Sequence, residues 1–194
     1  GTLGDAAAAV PIVTGELHVN TERFDYFYER FWRPNPRLIA GMALKRIVHS
    51  MMDISDGIGQ DLQHITRASG VGATIDFNAL PVSEALMNWQ PDSARILALT
   101  GGDDYELCFT APKSAREDIQ LILQTLHLPC TRIGEITESG YEIEGYDGDQ
   151  GLFWNMKNTE FKSYLDGLGL NMVSAHCNIN ENFEQKAAQA AEIG

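Results

Sequence analysis

The amino-acid sequence predicts an α/β fold of the layered α+β type. Apolar residues make up 44% of the 194 residues, which is enough for a packed core. Segments with helical periodicity alternate irregularly with short strand-like segments as far as residue 137. From residue 138 a strand–helix–strand–helix pattern follows, which is the unit from which parallel barrels are built. We therefore expect two domains, one at 1–137 and one at 138–194.

Local patterns predict the elements of the first domain in order along the chain. Small residues favour a first helix, and Phe24, Tyr28 and Phe31 recur at helical spacing in a second. Pro34 and Pro36 keep the next segment extended, because each disfavours helix in the residue before it. Helices are predicted at 5–13, 21–32, 38–47 and 58–69, within 83–99 and at 114–126, and strands at 16–19, 71–77, 105–110 and 130–136.

The last of these helices has the clearest sequence signals. Ser114 and Glu117 have the spacing of a capping box, in which each side chain bonds the backbone N–H of the other residue. An apolar stripe at helical spacing consists of Ile119, Ile122, Leu123 and Leu126. We expect Ile119 and Leu123 to be buried in the core.

The charge and the cysteines limit the possible functions. Lys and Arg total 14 and Asp and Glu total 27, so the net charge is 14 − 27 = −13. The sequence offers no basic stripe for nucleic acid and no apolar run long enough to span a membrane. Cys108, Cys130 and Cys177 fit neither a disulfide framework nor a zinc site, and they are typical of reduced thiols in a cytoplasmic protein.

The stretch 51–57 carries the most informative chemical pattern. Asp53 and Asp56 flank the hydroxyl of Ser55 where an apolar run gives way to a helical pattern. Carboxylates there can hold Mg²⁺, while the hydroxyl and the free N–H groups of the helix start face phosphate oxygens. In the alternative interpretation, Ser55 or Asp56 only caps the helix and Gly57 eases the turn.

A second acidic stretch, GGDDYE, occupies residues 101–106. Its two glycines allow the backbone to approach a ligand closely, and three carboxylates follow within four positions. The alternative is a solvated turn before a strand. The presence of both stretches, about fifty residues apart, favours a shared site.

At this point the sequence resembles the thiamine-monophosphate kinases, which belong to the AIR-synthase/PurM-like superfamily. The resemblance covers roughly residues 1–136, in family order and at family spacing. The matching stretches are GTLGDAAA at 1–8, RPNPR at 33–37, MDISDG at 52–57 with Asp61 and Leu62, ASGVGA at 68–73, and GGDDYEL at 101–107. The resemblance implies the fold of the superfamily's C-terminal domain over residues 1–137. It also implies transfer of the γ-phosphoryl group of ATP to thiamine monophosphate.

The resemblance also implies roles for four residues. Asp53 and Asp56 correspond to Mg²⁺ ligands, and Ser55 corresponds to a contact with ATP. Asp103 stands where the family usually has Glu, at a contact with thiamine monophosphate, so its side chain is one methylene shorter. No residue is assigned a covalent catalytic role. A P-loop of the Walker type is not present in the sequence.

The family carries further metal- and ATP-binding residues in an N-terminal domain that this sequence does not contain. We therefore expect the chain alone to be an incomplete kinase with little activity. The family resemblance also implies a homodimer for the longer protein.

The tail, from about residue 139, resembles sugar phosphate isomerases and epimerases of the xylose-isomerase-like TIM barrels. The matching stretches are GYEIEG at 140–145, Phe153 and Trp154, residues 161–170, and VSAH at 173–176. The resemblance implies an incomplete (βα)2 barrel fragment in which His176 corresponds to a pocket residue. Two alternatives to a kinase fragment therefore remain open, an isomerase fragment and a non-functional chimera of two truncated genes.

Overall fold

The computed structural model describes residues 1–146. The helices are α1 (Asp5–Val13), α2 (Thr21–Trp32), α3 (Leu38–Leu44), α4 (Ile58–Ser69), α5 (Glu84–Trp89), α6 (Pro91–Thr100) and α7 (Arg116–Thr125), with 3-10 turns at Phe77–Ala79 and Lys113–Ala115. The strands are β1 (Ser50–Asp53), β2 (Gly72–Asp76), β3 (Leu107–Thr110), β4 (Gly134–Thr137) and β5 (Tyr141–Glu144). The mixture of helices and short strands confirms the predicted α/β class.

The strands form two small sheets. In the first, β1 and β3 are antiparallel, with Ser50 opposite Thr110 and Asp53 opposite Leu107. In the second, the order is β4-β2-β5, with β4 antiparallel and β5 parallel to β2. Because β1 and β3 run in opposite directions, the chain leaving β1 at Asp53 meets the chain entering β3 at Leu107. This pairing brings the two acidic stretches to the same end of one sheet.

Two clusters of apolar side chains support these elements. The first joins α1, α2, α5 and α6 and consists of Ala8, Ala9, Ile12, Phe27, Leu86 and Ala94. The second packs α3 and α7 against β3 and consists of Ala40, Leu44, Ala115, Ile119 and Leu123, with Leu107 and Phe109 beside it. The predicted apolar stripe of α7 is therefore confirmed.

A cavity of about 600 Å³ separates the two sheets. Its lining includes Phe109 of β3, Ile136 of β4, and Ile75 of β2. Within residues 1–146, no strand joins β3 to β4 across this space. The buried pair Arg37–Glu106 also lines the cavity, so its surface is not wholly apolar.

The aromatic residues of α2 differ widely in burial. Phe27 is fully buried, whereas Phe24 and Tyr28 are 38% and 39% exposed. Phe31 packs against the first cluster. Because the helix has aromatic residues on several sides, helical spacing alone does not identify the side that meets α1.

Other element boundaries also differ from the sequence prediction. Residues 16–19 are irregular instead of a strand, and α3 ends at Leu44 instead of continuing to residue 47. Ser114 does not cap α7, because a 3-10 turn at Lys113–Ala115 precedes the helix and Ala115 occupies the N-cap without a side-chain bond. The β4 strand starts at Gly134, four residues later than predicted.

The sequence predicts a strand at 141–145 within the tail, and the structure has β5 at Tyr141–Glu144. It pairs in parallel with β2, with Ala73 opposite Tyr141, and so completes a sheet of the first domain. Residues 147–194, including His176, lie outside the described residues, so the (βα)2 barrel fragment and the proposed domain at 138–194 remain predictions. None of the described helices is long and apolar enough to cross a lipid bilayer.

Candidate active site

The acidic loop (residues 53–57) and the glycine loop (residues 101–106) lie against each other. The amide of Asp103 donates to the carbonyl of Ser55 at 2.9 Å, and the amide of Tyr105 donates to the carbonyl of Ile54 at 2.8 Å. The amide of Ile54 donates in turn to the carbonyl of Glu106 at 2.8 Å. These bonds continue the β1–β3 ladder beyond its last pair, and they hold both loops in one position.

Two glycines permit this close approach. A Cβ on Gly102 would collide with the carbonyl oxygen of Ser55. Gly57 has a φ of +106°, and a Cβ there would lie 2.8 Å from the carbonyl carbon of Thr100. The first collision would separate the loops, and the second would displace the start of α4 from the end of α6.

The structure brings all four predicted site residues to this junction. Asp53 and Asp56 are exposed, Ser55 is half-buried, and Asp103 is exposed with a φ of +64°. The N-cap of α4 is Gly57, without a side-chain cap bond. The alternative in which Ser55 or Asp56 caps the helix is therefore wrong, and the Asp56 carboxylate instead accepts a hydrogen bond from Gln60 Nε2 at 3.2 Å.

The pKa of Tyr105 reflects the negative charge of the surrounding carboxylates. Its hydroxyl donates to Asp103 Oδ1 at 3.1 Å. This hydrogen bond and the charge of Asp103 raise the pKa of Tyr105, and the charges of Asp53 and Asp56 raise it further. Three carboxylates thus act on one phenol, which indicates a concentrated negative potential suited to cations.

The side chain of Asp61 bonds to the backbone of the acidic loop. Its carboxylate oxygen Oδ2 accepts from the amides of Ser55 at 2.8 Å and Asp56 at 3.0 Å, and the residue is 1% exposed. These two donors precede Gly57, the N-cap of α4, so they are not the N–H groups of the helix start that are expected to face phosphate, and that expectation stays a prediction. In the sequence, Asp61 is visible only as part of a family motif, and the signal for its role is its position four residues after Gly57.

Asp104 attaches the glycine loop to the start of α1. Its Oδ2 accepts from the amide of Gly4 at 2.8 Å, whereas its Oδ1 is buried without a hydrogen-bond partner among the described residues. Burial raises the pKa of Asp104 to about 7, although the amide of Gly4 and the charge of Arg30 act in the opposite direction.

One ion pair, Arg37–Glu106, lies on the glycine loop, and a second, Asp5–Arg30, joins α1 to α2. Arg37 donates two hydrogen bonds to Glu106, from Nε at 2.9 Å and from Nη2 at 2.6 Å. Burial opposes ionisation of Glu106, but the bonds from Arg37 and nearby positive charge lower the pKa of that carboxyl overall. Asp5, which is fully buried, accepts from Arg30 Nε at 3.1 Å and from Ser83 Oγ at 2.6 Å.

The described residues do not form a complete metal centre by themselves. Within residues 1–146, no group of three or more His, Cys, Asp or Glu side chains is placed to hold a metal ion. Asp53 and Asp56 nevertheless provide two exposed carboxylates on one loop. This set fits Mg²⁺, which usually takes one or two carboxylates and completes its shell with water and phosphate.

Comparison with known proteins gives a consistent family. The chain matches the model of the AIR synthase related protein, C-terminal domain, over residues 4–146. It is 44% identical over 147 residues to thiamine-monophosphate kinase of Escherichia coli strain K12, covering 75% of this chain and 44% of that protein. The match includes β5, so the isomerase interpretation finds no support in residues 140–145.

Solved structures agree with the sequence relatives. Thiamine-monophosphate kinase from Stenotrophomonas maltophilia K279a aligns with a TM-score of 0.70 and 41% identity, over 75% of this chain and 48% of that one. A structure of AaThiL complexed with AMPPCP and TMP aligns with a TM-score of 0.65 and 29% identity, over 77% and 47% of the two chains.

The chain spans less than half the length of these relatives. The family model, in contrast, accounts for most of the chain and for every described strand. This chain therefore belongs to the AIR synthase related protein family, whose C-terminal domain it contains.

Proposed function

We propose that this chain is the part of a thiamine-monophosphate kinase that contacts Mg²⁺, ATP and thiamine monophosphate. The observation that carries the proposal is the hydrogen bond between the amide of Asp103 and the carbonyl of Ser55. This bond brings the residues proposed for metal and nucleotide next to the residue proposed for the acceptor substrate. The 44% identity to the Escherichia coli kinase supports the same reaction.

In this proposal Asp53 and Asp56 hold Mg²⁺, and the hydroxyl of Ser55 contacts the phosphates of ATP. Phosphoryl transfer requires in-line positioning of the reactants and cations that neutralise the charge of the moving group. Carboxylates at the acidic loop would retain the cation, which in turn would attract the phosphate chain. This accounts for an acidic protein that binds an anionic nucleotide.

Asp103 is proposed to contact thiamine monophosphate. Its backbone is left-handed, its side chain is exposed, and its Oδ1 accepts a hydrogen bond from the hydroxyl of Tyr105. The thiazolium ring of the substrate is cationic, so a carboxylate offers charge complementarity. Because Asp is one methylene shorter than the Glu usual in the family, we expect Asp103→Glu to preserve substrate binding and Asp103→Asn to weaken it.

We further propose that the complete reaction requires residues beyond this chain, since the matched residues span less than half of each relative. The family resemblance implies that further metal- and ATP-binding residues lie in an N-terminal domain that this sequence does not contain. A homodimer of the longer protein and a cytoplasmic location remain predictions of the family resemblance.

The test is a titration of the ¹⁵N-labelled chain with Mg²⁺ and AMPPCP, followed by thiamine monophosphate. We expect saturable shifts of the acidic-loop amides that require both Mg²⁺ and nucleotide. Asp53→Asn combined with Asp56→Asn should weaken binding at least about tenfold. The matched control is Asp25→Asn combined with Asp118→Asn, which removes two exposed carboxylates from helices elsewhere.

A second measurement tests the reaction itself. The remaining half of the Escherichia coli kinase, added as a separate polypeptide, should allow thiamine diphosphate to form from ATP and thiamine monophosphate. Absence of both the nucleotide shifts and the product, with a folded chain, would refute the proposed function.

A further inference from the structure

We propose that Asp61 is a positioning residue for both loops of the site, although it contacts no ligand in the proposed function on which this inference rests. The carboxylate of Asp61 accepts hydrogen bonds from the amides of Ser55 and Asp56, which immediately precede Gly57 and α4. Asp61 thereby sets the orientation of the peptide groups that carry Ser55 and Asp56. Through one of those groups it also sets the position of Asp103.

Asp61 is itself held firmly. Its backbone lies in the first turn of α4, where its amide donates to the carbonyl of Gly57 at 2.9 Å. In the same turn, the hydroxyl of Tyr141 donates to the carbonyl of Gly59 at 2.9 Å. The carboxylate therefore projects from a helix that is anchored to β5, and it approaches the acidic loop as a fixed acceptor.

The connection to Asp103 passes through a single peptide group. The peptide between Ser55 and Asp56 donates its N–H to Asp61 and accepts the amide of Asp103 on its carbonyl. A trans peptide is planar and directs its N–H and its C=O to opposite sides. Fixing the N–H on Asp61 thus aims the carbonyl at Asp103, and rotation of this plane would break both bonds together.

The charge of Asp61 adds to this effect. A buried carboxylate forms stronger bonds with amides than a neutral acceptor does. Because Asp61 occupies the amides of Ser55 and Asp56, the loop can present the Ser55 hydroxyl and the Asp56 carboxylate outward instead. The arrangement therefore selects a metal-bridged phosphate over a phosphate bound directly by these backbone donors.

The competing interpretation is that Asp61 only contributes to global stability. Variants Asp61→Ala and Asp61→Asn, made in the full chain, separate the two. Asp61→Ala removes both hydrogen bonds, whereas Asp61→Asn keeps one side-chain oxygen as a neutral acceptor. The matched control is Asp76→Asn, since Asp76 also accepts a backbone amide, that of Asn78 at 2.9 Å, but at an exposed turn after β2.

Amide hydrogen exchange measured without ligand is the primary readout. In Asp61→Ala we expect the amides of Ser55, Asp56 and Asp103 to exchange at least about tenfold faster. The amides of Ile119 and Leu123 in α7 should keep their rates. The exchange rates in Asp61→Asn should lie between those of Asp61→Ala and the parent chain. In Asp76→Asn the exchange rates of all these amides should equal those of the parent chain.

The second readout is Mg²⁺-dependent binding of AMPPCP, which should weaken about tenfold in Asp61→Ala and less in Asp61→Asn. An unchanged Asp103 amide, or faster exchange spread equally over the whole chain, would overturn the inference. If Asp61→Ala does not fold, the Asp103 amide in Asp61→Asn decides the question. Failure of the parent chain to bind Mg²⁺–AMPPCP would refute the proposed function, while the exchange rates would still decide the role of Asp61.

Discussion

Gly57 combines an unusual backbone conformation with a close contact. Its φ of +106° and ψ of 142° place it in a region that is essentially restricted to glycine. The backbone of Thr100 lies directly beside it. Gly15 also has a positive φ, +81°, but a Cβ there would meet nothing within 4 Å. The two positions therefore separate backbone strain from steric collision.

We expect Gly15→Ala to lower the free energy of unfolding by about 1–2 kcal/mol, the cost of a left-handed conformation. Gly57→Ala should cost about 2–5 kcal/mol, because overpacking against Thr100 adds to the strain. Urea denaturation followed by circular dichroism measures both values. Equal losses of unfolding free energy in the two variants would show that the contact with Thr100 adds nothing to the cost of the substitution.

Asp104 predicts a specific pH dependence of stability. Its pKa is about 7 in the folded chain against an ordinary value of 3.8, so the folded state retains a proton that the unfolded state has lost between these values. Stability is therefore fully present below about pH 3.8 and is lost as the pH rises to about 7. Above that pH the buried charge remains as a constant penalty, with Asp5 adding repulsion and Arg30 relieving it.

We expect Asp104→Asn to be more stable than the parent chain at pH 8, by at most about 4 kcal/mol, because one pKa unit corresponds to about 1.4 kcal/mol. The difference should shrink as the pH falls from 7 to 4. Urea midpoints at several pH values test this, with the exposed Asp25→Asn as control. A difference that stays constant with pH would show that the pKa of Asp104 is not raised in the folded chain.

At the scale of the element, α2 shows how one helix can hold two very different aromatic positions. Phe27 contacts the first cluster and Trp89, with ring centroids 4.8 Å apart. Phe24 stacks on Tyr28 at the surface, with centroids 5.4 Å apart. The two phenylalanines lie on the same helix but differ in exposure from 0% to 38%.

We expect Phe27→Ala to cost about 3–5 kcal/mol of stability, the usual range for a fully buried aromatic side chain. Phe24→Ala should cost about 1 kcal/mol, since it loses only partial burial and one aromatic contact. Thermal and urea unfolding of both variants provide the measurement. A larger loss for Phe24→Ala than for Phe27→Ala would contradict the assignment of Phe27 to the core.

Some elements could be predicted from the sequence because their determinants are local. The bounds of α1 and α2 match the prediction, since the residues that start and end them are neighbours in sequence, as with Asn20, whose side chain caps α2. The start of β4 and the buried face of α2 depend on distant partners, which periodicity does not identify. The Ser114 cap failed because a 3-10 turn competed for the same residues.

The candidate site also has parts that the sequence predicts and parts that it does not. The residue types at Asp53, Ser55, Asp56 and Asp103 were visible in the sequence, and the family resemblance supplied their proposed roles. The bonds from Asp61 to the acidic loop and from Asp104 to Gly4 depend on side-chain positions in three dimensions. From the sequence alone, either carboxylate could equally well be exposed to solvent, so spacing does not predict these contacts.

At the scale of the whole molecule, β5 connects the end of the described chain to the candidate site. It pairs with β2 over four residues, from Ala73 opposite Tyr141 to Asp76 opposite Glu144. Tyr141 also bonds the carbonyl of Gly59 in α4, the helix that carries Asp61. A boundary at residue 137 would remove this strand, whereas the end of the family match at residue 146 would keep it.

Two truncations therefore test where the domain ends. We expect residues 1–146 to unfold at a higher urea concentration than residues 1–137, which lose the β2–β5 pairing and the bond from Tyr141. Each lost hydrogen bond costs about 1 kcal/mol, so the difference in free energy of unfolding should reach about 3–5 kcal/mol. Tyr141→Phe in the full chain should lose about 1 kcal/mol, which isolates the contact with α4.

Equal midpoints for the two truncations would favour the boundary at 137 and would show that β5 adds nothing to the domain. A lower midpoint for residues 1–137, together with faster amide exchange at the start of α4, would instead establish that the sheet and the candidate site depend on the same last strand.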